Sequence, residues 1–158
     1  MNDDRFPASF VDTNIFIYAL DRSDPTRGEI ARALLLQLMQ EGAIRTSAQV
    51  LQELYVTATR KIKTPIPPAK ALRYLDQIAS FPVYSPDYGA VREAIEMSIH
   101  SKISMWDALV VVAAARSGAA RLFTEELNDG QTIMGVEIVN PFRPAAAKGG
   151  TRKLPPKR

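Results

Sequence analysis

The sequence predicts an α/β fold in which helices flank a central, mainly parallel β-sheet. Short apolar segments of strand type alternate with longer segments of helical periodicity, a pattern typical of parallel sheets with crossover helices. The length of 158 residues and the hydrophobic fraction of 46% suffice for one well-packed domain. No apolar run approaches the roughly 18 residues that a membrane span requires, so a globular domain is expected.

The first half of the chain contains two predicted strands and three predicted helices. Pro25 and Gly42 mark the ends of the longest helix, because proline fits the first helical turn and glycine fits the position after the last one. In chain order the segments are a strand at 8–11 ("ASFV"), a helix at 14–20 ("NIFIYAL"), a helix at 25–41, a strand at 43–46 ("AIRT") and a helix from 48 to about 62.

The second half adds three helices and three extended segments. "TPIPP" at 64–68 breaks the helical pattern, and Pro86 is expected to open the next long helix. The segments are an amphipathic helix at 69–80, an extended piece at 81–85, a helix from 86 to about 102, a buried helix from 105 to about 117, and strands at 121–124 ("RLFT") and 136–140 ("VEIVN").

The buried helix contains an unusual stretch, "WDALVVVAAA" at 106–115. Nine of its ten residues are apolar, and the exception is Asp107. A helix that is apolar on every side is normally buried, and an unpaired carboxylate is strongly unfavourable in such surroundings. One explanation is a capping box in which Asp107 reaches back to the backbone amide of Ser104. The other is that the carboxylate faces a crevice and binds a ligand.

Composition excludes several kinds of catalytic site. The chain has no cysteine and one histidine, His100, so thiolate sites, Cys/His zinc sites and histidine-based triads are poorly supplied. It contains no G-x-x-x-x-G-K-[ST] loop to hold phosphates. Carboxylates remain, and the candidates are Asp12, Glu53, Asp107 and, within "TEELND", Glu125, Glu126 and Asp129.

Each of these carboxylates also has a structural explanation. Asp12 could cap the helix that follows it, Glu53 could face solvent, and "TEELND" could be an acidic loop. However, Asp12 and "TEELND" both follow predicted strands, and the carboxyl ends of parallel strands line the binding crevices of α/β domains. Carboxylates that converge there repel each other unless a hard cation such as Mg²⁺ binds them. Such a cation can activate a water for attack on a phosphodiester.

Four motifs resemble the PIN-domain family and, within it, the VapC-type toxins of bacterial toxin–antitoxin pairs. They are, in order, "DTN" at 12–14 after the first strand, "ELY" at 53–55, "WDAL" at 106–109 and "TEELNDG" at 124–130. The resemblance spans about Phe10 to Phe142. It implies a PIN-like three-layer fold, with a PIN domain at 1–142.

The resemblance also implies a set of site residues. The acids that match metal-binding and catalytic positions are Asp12, Glu53, Asp107 and Asp129. The matching supporting residues are Asn14, Thr124 and Glu126, of which Glu126 is an alternative to Asp129 as the fourth acidic ligand. The implied cofactor is Mg²⁺, with Mn²⁺ as a substitute.

The activity implied by the resemblance is cleavage of RNA phosphodiester bonds by a metal-activated water. The chain would be an endoribonuclease toxin that a VapB-type antitoxin inhibits, and a cytoplasmic homodimer is expected. Two alternatives remain open. One is a housekeeping PIN nuclease that acts in RNA processing or on DNA. The other is a PIN-fold binding module without catalysis.

The basic character of the chain is concentrated at its end. Residues 143–158 contain six Lys and Arg residues and no acid, so that the rest of the chain carries a net charge of −3 against +3 for the whole. This segment is predicted to be a basic, disordered tail. Elsewhere, Tyr18 and Trp106 are expected to pack rather than to stack on bases. Basic residues that could contact RNA phosphates, or simply be solvated, are Arg22, Arg27, Arg60, Lys61 and Lys63.

Overall fold

The computed structural model describes residues 6–144, so that only the first two positions of the predicted tail at 143–158 lie within it. The helices in this part of the chain are α1 (Thr13–Leu20), α2 (Pro25–Gln40), α3 (Ala48–Val56), α4 (Pro68–Ile78), α5 (Tyr88–Ser101) and α6 (Met105–Arg116). The strands are β1 (Ser9–Val11), β2 (Ile44–Ser47), β3 (Val83–Tyr84), β4 (Arg121–Phe123), β5 (Thr132–Ile133) and β6 (Val136–Val139).

The predicted α/β class with a mainly parallel central sheet is confirmed. The sheet has the order β3-β2-β1-β4-β6-β5, and every neighbouring pair is parallel except β5 with β6. The central strand β1 is completely buried. Its last residue, Val11, is in register with Phe123 at the end of β4. The residues that follow these two strands are therefore neighbours at one edge of the sheet.

Side-chain caps explain where several helices begin. Asp24 caps α2, Ser47 caps α3 and Ser104 caps α6, each by accepting a hydrogen bond from a backbone N–H of the first turn. The prediction that Pro86 opens a helix is wrong by two residues. The helix α5 begins at Tyr88, because the side chain of Asp87 accepts a hydrogen bond from the backbone N–H of Ala90 and so provides the cap.

The prediction of a buried helix after residue 105 is confirmed. Residues 108–114 of α6 are all buried, and the helix packs closely against α5. Small residues make this approach possible, since Ala90 and Ala94 of α5 meet Ala108 and Val112 of α6. The opposite side of α6 contributes to the main core. This packing fixes the axis of α6 and hence the position of its first turn.

Two features of the structure escaped the sequence patterns. The predicted helix from 48 to about 62 is α-helical only to Val56 and continues as a π-helical turn over Thr57–Lys61. The strand β5 forms a hairpin with β6 through Met134 and Gly135, which have φ values of 51° and 76°. Turns with two positive φ values usually contain Asn-Gly or Asp-Gly, so "MG" gave no signal. None of the helices within residues 6–144 is long and apolar enough to cross a bilayer.

Candidate active site

A cavity of about 500 Å³ lies where β1 and β4 end, and α1, α3 and α6 provide much of its wall. We call it the acidic cavity. Its charged lining residues are Asp12, Asp21, Glu53, Asp107, Glu125 and Glu126, together with Lys61 and Lys63. Six carboxylates against two lysines give this concave surface an excess of negative charge.

Asp12 forms the floor of the acidic cavity and is only 6% exposed. It caps α1, since its Oδ1 accepts a hydrogen bond of 2.7 Å from the backbone N–H of Thr13. Its Oδ2 accepts a hydrogen bond of 2.9 Å from the Thr124 hydroxyl and a longer one of 3.5 Å from the Asn14 amide. The structure therefore places two of the three predicted supporting residues, Asn14 and Thr124, in contact with Asp12.

The surroundings of Asp12 disfavour its charge. Burial raises the pKa of this carboxyl from 3.8 to about 6, against the opposing effect of the hydrogen bonds from Thr13 and Thr124. The negative charges of Glu53 and Asp107 raise the pKa further. A cation in the cavity would reverse this balance, because it would favour the ionised form.

Glu53 reaches the acidic cavity from the second turn of α3. Its Oε2 accepts a hydrogen bond of 3.2 Å from the Thr13 hydroxyl, and its Oε1 accepts one of 3.3 Å from the side-chain amide of Gln49. Neither Thr13 nor Gln49 was predicted from the sequence as a site residue. The contact of Gln49 with Glu53 could have been predicted, because residues four apart on a helix lie on the same face. Thr13 adjoins Asp12 in sequence, but its contact with Glu53 depends on the tertiary structure.

Asp107 lies in the first turn of α6, and its half-buried side chain lines the acidic cavity. The Ser104 hydroxyl accepts a hydrogen bond of 3.0 Å from the Asp107 backbone N–H, so the predicted cap at Ser104 is present. The second half of the capping box is wrong: within residues 6–144 the Asp107 carboxylate accepts no hydrogen bond from the Ser104 amide. The capping role thus belongs to Ser104 and leaves the Asp107 carboxylate free for the cavity.

Glu126 and Asp129 occupy different places. Glu126 lines the acidic cavity, and partial burial together with the charges of Glu125, Asp107 and Glu53 raises the pKa of its carboxyl. Asp129 is not among the residues that line the cavity. Its Oδ1 accepts a hydrogen bond of 2.8 Å from the backbone N–H of Asn140, which ties the loop after β4 to the end of β6. The structure brings Asp12, Glu53, Asp107 and Glu126 together at the acidic cavity and places Asp129 outside its lining.

The side chain of the neighbouring Glu125 is hydrogen-bonded to a residue of α1. Its Oε1 accepts a hydrogen bond of 2.8 Å from the Tyr18 hydroxyl, and the Tyr18 ring packs edge-on against Phe142 with centroids 4.9 Å apart. The prediction that Tyr18 packs is therefore confirmed. The same prediction for Trp106 is wrong, because its side chain is 62% exposed at the acidic cavity.

The oxygen atoms that line the acidic cavity are suitable ligands for a hard divalent cation. Asn14 Oδ1 and Gln49 Oε1 are buried and have no hydrogen-bond partner among the described residues, so the cavity contains oxygen acceptors in excess of donors. No three acidic or histidine side chains in residues 6–144 are placed to ligate one ion directly. Mg²⁺ does not need three, because it usually retains several waters and binds through one or two carboxylates.

Comparisons with known proteins identify the family. The PIN domain family model matches residues 9–128, and no curated protein matches the chain. VapC20 of Mycobacterium tuberculosis, a sarcin-ricin loop cleaving toxin, is 20% identical with a TM-score of 0.58, over 72% of this chain and 86% of that one. A toxin–antitoxin complex from Klebsiella pneumoniae gives 19% identity and a TM-score of 0.60, over 85% and 98% of the two chains.

A third solved structure, VapBC2 from Rickettsia felis bound to a DNA fragment from its promoter, gives 19% identity and a TM-score of 0.58, over 82% of this chain and 96% of that one. At these identities the likeness is one of fold, and it agrees with the sheet and helices described above. Since the family model spans most of the chain and includes Asp12, Glu53, Asp107 and Glu126, this protein belongs to the PIN-domain family.

Proposed function

We propose that the chain is a divalent-metal-dependent endoribonuclease and the toxin of a toxin–antitoxin pair. The observation that carries this proposal is the convergence of Asp12, Glu53, Asp107 and Glu126 on one cavity at the carboxyl edge of the sheet. Membership of the PIN-domain family and the similarity in fold to VapC20, described as a toxin that cleaves the sarcin-ricin loop, support the activity and the role.

Asp12 is the central metal ligand in this proposal. Its carboxylate is held by the Thr13 backbone and the Thr124 hydroxyl, so it presents a fixed charge to the cavity. Glu53 and Asp107 reach the same cavity from α3 and α6 and would hold Mg²⁺ or Mn²⁺ through the waters that the ion retains. When bound, the ion supplies activation of a water and stabilisation of the leaving oxygen of the phosphodiester.

We propose Glu126, rather than Asp129, as the fourth acid. Glu126 faces Glu53 and Asp107 closely enough for their charges to raise its pKa. The Asp129 carboxylate accepts a hydrogen bond from the Asn140 backbone and lies 3.9 Å from the Arg143 guanidinium, so its role would be to hold the loop that carries Glu126.

Other residues of the acidic cavity would contact the substrate. Lys61 and Lys63 line it and would offset the repulsion between the carboxylates and an RNA phosphate. The exposed indole of Trp106, next to Asp107 in the chain, offers a surface on which a neighbouring base can stack. Neither contact requires a particular base. Selection of the RNA target would therefore depend on the shape and sequence of the RNA outside the cavity.

The partner would be a small VapB-type antitoxin that covers the acidic cavity. The Klebsiella and Rickettsia structures similar in fold to this chain are of a toxin–antitoxin complex and of VapBC2. A homodimer remains a prediction, which sedimentation of the purified protein would measure.

The test is cleavage of a mixed pool of structured RNAs by the purified protein with Mg²⁺ or with EDTA. We expect discrete cleavage products with Mg²⁺ alone, and their loss when the protein encoded by a neighbouring antitoxin gene is added. Cleavage that persists in EDTA would contradict metal dependence. If Mg²⁺ does not stabilise the protein against heat and no RNA is cut, the chain is a non-catalytic binding module and the proposal is wrong.

A further inference from the structure

A second cavity, of about 510 Å³, adjoins the acidic cavity. Asp21 lines both of them, so the two cavities meet at the end of α1. The other charged residues of the second cavity are all basic, namely Arg22, Arg32 and Lys70. We call it the basic cavity. The local charge thus changes from strongly negative to positive across a single shared residue.

Three separate parts of the fold supply the cations of the basic cavity. Arg22 lies in the turn between α1 and α2, Arg32 lies within α2, and Lys70 lies in the first turn of α4. Their convergence therefore depends on the tertiary fold and is more specific than a run of basic residues in the sequence.

The position of Arg32 depends on a glycine inside α2. A Cβ atom at Gly28 would lie 3.0 Å from Arg32 Nη1 and 3.2 Å from the backbone oxygen of Tyr18. The missing side chain lets the guanidinium lie against the end of α1, where its Nη1 donates a hydrogen bond of 3.3 Å to the carbonyl oxygen of Ala19. Glycine is unfavourable in the interior of a helix. At position 28 it permits both the placement of the Arg32 guanidinium and the close approach of α1 and α2.

The cations of the basic cavity form no ion pair with a carboxylate of residues 6–144, as is also true of most other described arginines and lysines. Arg27, Arg92 and Arg116 each form an ion pair within 4.0 Å. Within residues 6–144, no ion pair involves Arg22, Arg32 or Lys70. Three cations against the single carboxylate of Asp21 around one concavity attract an anion, and a phosphate is the anion whose oxygens several such donors can share.

We propose that the basic cavity is a phosphate-binding subsite for the single-stranded RNA segment next to the bond that is cleaved. This inference rests on the proposed function, because it takes RNA as the ligand of the acidic cavity. A strand that crosses from one cavity to the other places its reacting phosphodiester among the carboxylates and a neighbouring phosphate among Arg22, Arg32 and Lys70. An acidic peptide fits less well, because it has no phosphodiester to place in the acidic cavity and would therefore use only one of the two cavities.

The test compares two variants that each remove two positive charges. In Arg22→Gln/Lys70→Gln both substitutions lie in the basic cavity, whereas in Arg92→Gln/Lys102→Gln both lie on exposed positions of or after α5. The probe is a fluorescein-labelled single-stranded oligouridylate in EDTA, which prevents metal-dependent cleavage. Fluorescence anisotropy gives its binding constant at several KCl concentrations.

We expect the slope of log K against log salt to fall in magnitude by about 0.7 for Arg22→Gln/Lys70→Gln, because the subsite holds one phosphate and each phosphate neutralised on a single strand contributes about 0.7. The control variant should keep the wild-type slope. Equal losses in both variants would show a general effect of net charge and overturn the proposal. So would unchanged RNA binding in Arg22→Gln/Lys70→Gln, or binding of an oligoglutamate in preference to the RNA.

The outcome is separable from that of the proposed function. If the slope changes as expected but the wild-type protein cuts no RNA with Mg²⁺, the subsite holds and the nuclease proposal fails. If the wild-type protein cuts RNA and the slope does not change, the nuclease proposal holds and the subsite is overturned.

Discussion

Asp12 and Asp107 line the same cavity but are held in opposite ways. Asp12 is 6% exposed, and both of its carboxylate oxygens accept hydrogen bonds from the protein. Asp107 is half-buried, and its carboxylate accepts no hydrogen bond from any residue in the described part of the chain. The protein itself fixes the first charge and leaves the second for a ligand. If the cavity binds a cation as proposed, it combines one acid that the protein holds with another that the cation would hold.

The difference follows from the elements that carry the two acids. Asp12 follows β1, and the register of Val11 with Phe123 sets Asp12 beside Thr124. Asp107 lies in the first turn of α6, where the backbone is fixed by the Ser104 cap and by core packing while the side chain points out of the core. A sheet edge thus positions the whole carboxylate, whereas a helix start positions only its backbone.

The largest effect is expected for Asp107→Asn. Removal of this charge should lower the rate of Mg²⁺-dependent RNA cleavage by about 1,000-fold, or about 4 kcal/mol of transition-state stabilisation. The melting temperature in EDTA should change little, because the backbone hydrogen bond to Ser104 remains. Single-turnover cleavage and thermal unfolding measure the two quantities. The matched control is Asp76→Asn, which changes an exposed acid of α4. If Asp107→Asn cuts RNA as well as the wild type does, Asp107 has no catalytic role.

Asp12→Asn should also stop cleavage, but it should stabilise the metal-free protein. Because burial raises the Asp12 pKa from 3.8 to about 6, the folded state binds the proton more tightly than the unfolded state does. The wild type therefore loses stability as the pH rises from about 4 to 6, by about 3 kcal/mol in all. Asparagine has no proton to lose and never buries a negative charge, so its advantage should be about 3 kcal/mol at pH 8 and should vanish near pH 4.

Urea unfolding in EDTA at both pH values measures this prediction, with Asp107→Asn as the comparison. A gain of stability at pH 8 that is as large in Asp107→Asn as in Asp12→Asn would mean that the two acids are not held differently. Saturating Mg²⁺ should remove the disadvantage of the wild type, because an ion that binds only the folded protein stabilises it.

The sequence predicted Asp12, Glu53 and Asp107 on different grounds. Asp12 follows a strand, and this pattern alone predicted its place at the carboxyl edge of the sheet. Glu53 and Asp107 lie on helices, and their place at the same cavity was implied by the resemblance to the PIN-domain family. The fold class was predictable from the strand and helix patterns. The π-helical turn at Thr57–Lys61 was not, because its apolar spacing does not differ enough from that of an α-helix.

The acid of the loop after β4 could not be chosen from the sequence. "TEELND" offers three acids within five residues, and the choice depends on how the loop folds. Tyr18 donates a hydrogen bond to Glu125, and the backbone of Asn140 donates one to Asp129. Neither contact joins residues that are neighbours in the sequence, so no local sequence pattern predicts it. Glu125 and Glu126 both line the acidic cavity, and of the two only Glu126 has a carboxylate without a hydrogen-bond partner among the described residues.

An intermediate effect is expected for Glu126→Gln. If Glu126 supports the metal, Mg²⁺ should bind about 30-fold more weakly to this variant, within the range of about 10 to 100-fold for residues that support metal sites. The matched variant Asp129→Asn keeps the oxygen that accepts from the Asn140 N–H and should bind Mg²⁺ like the wild type. Thermal shift against Mg²⁺ concentration gives both affinities. The reverse result would return Asp129 to the fourth position.

The smallest effect is expected for Gln49→Leu, which removes a hydrogen bond that orients the Glu53 carboxylate. Loss of the hydrogen bond from Gln49 to Glu53 should weaken Mg²⁺ binding by about fivefold, equivalent to about 1 kcal/mol. The same change removes the buried Oε1, which has no partner among the described residues, and should therefore raise the free energy of unfolding in EDTA. Thr13→Val, which removes the other hydrogen bond to Glu53, should weaken Mg²⁺ binding without that gain.

Opposite signs for stability and metal affinity in Gln49→Leu would mean that this glutamine is kept for the ligand at the expense of the fold. Glu53 would then resemble Asp12, as an acid that the protein orients before the metal arrives, and Asp107 would remain the acid that the metal orients. If Gln49→Leu instead loses stability and keeps its affinity for Mg²⁺, the contact is structural. The rigid part of the site would then be confined to Asp12 and the residues bonded to it.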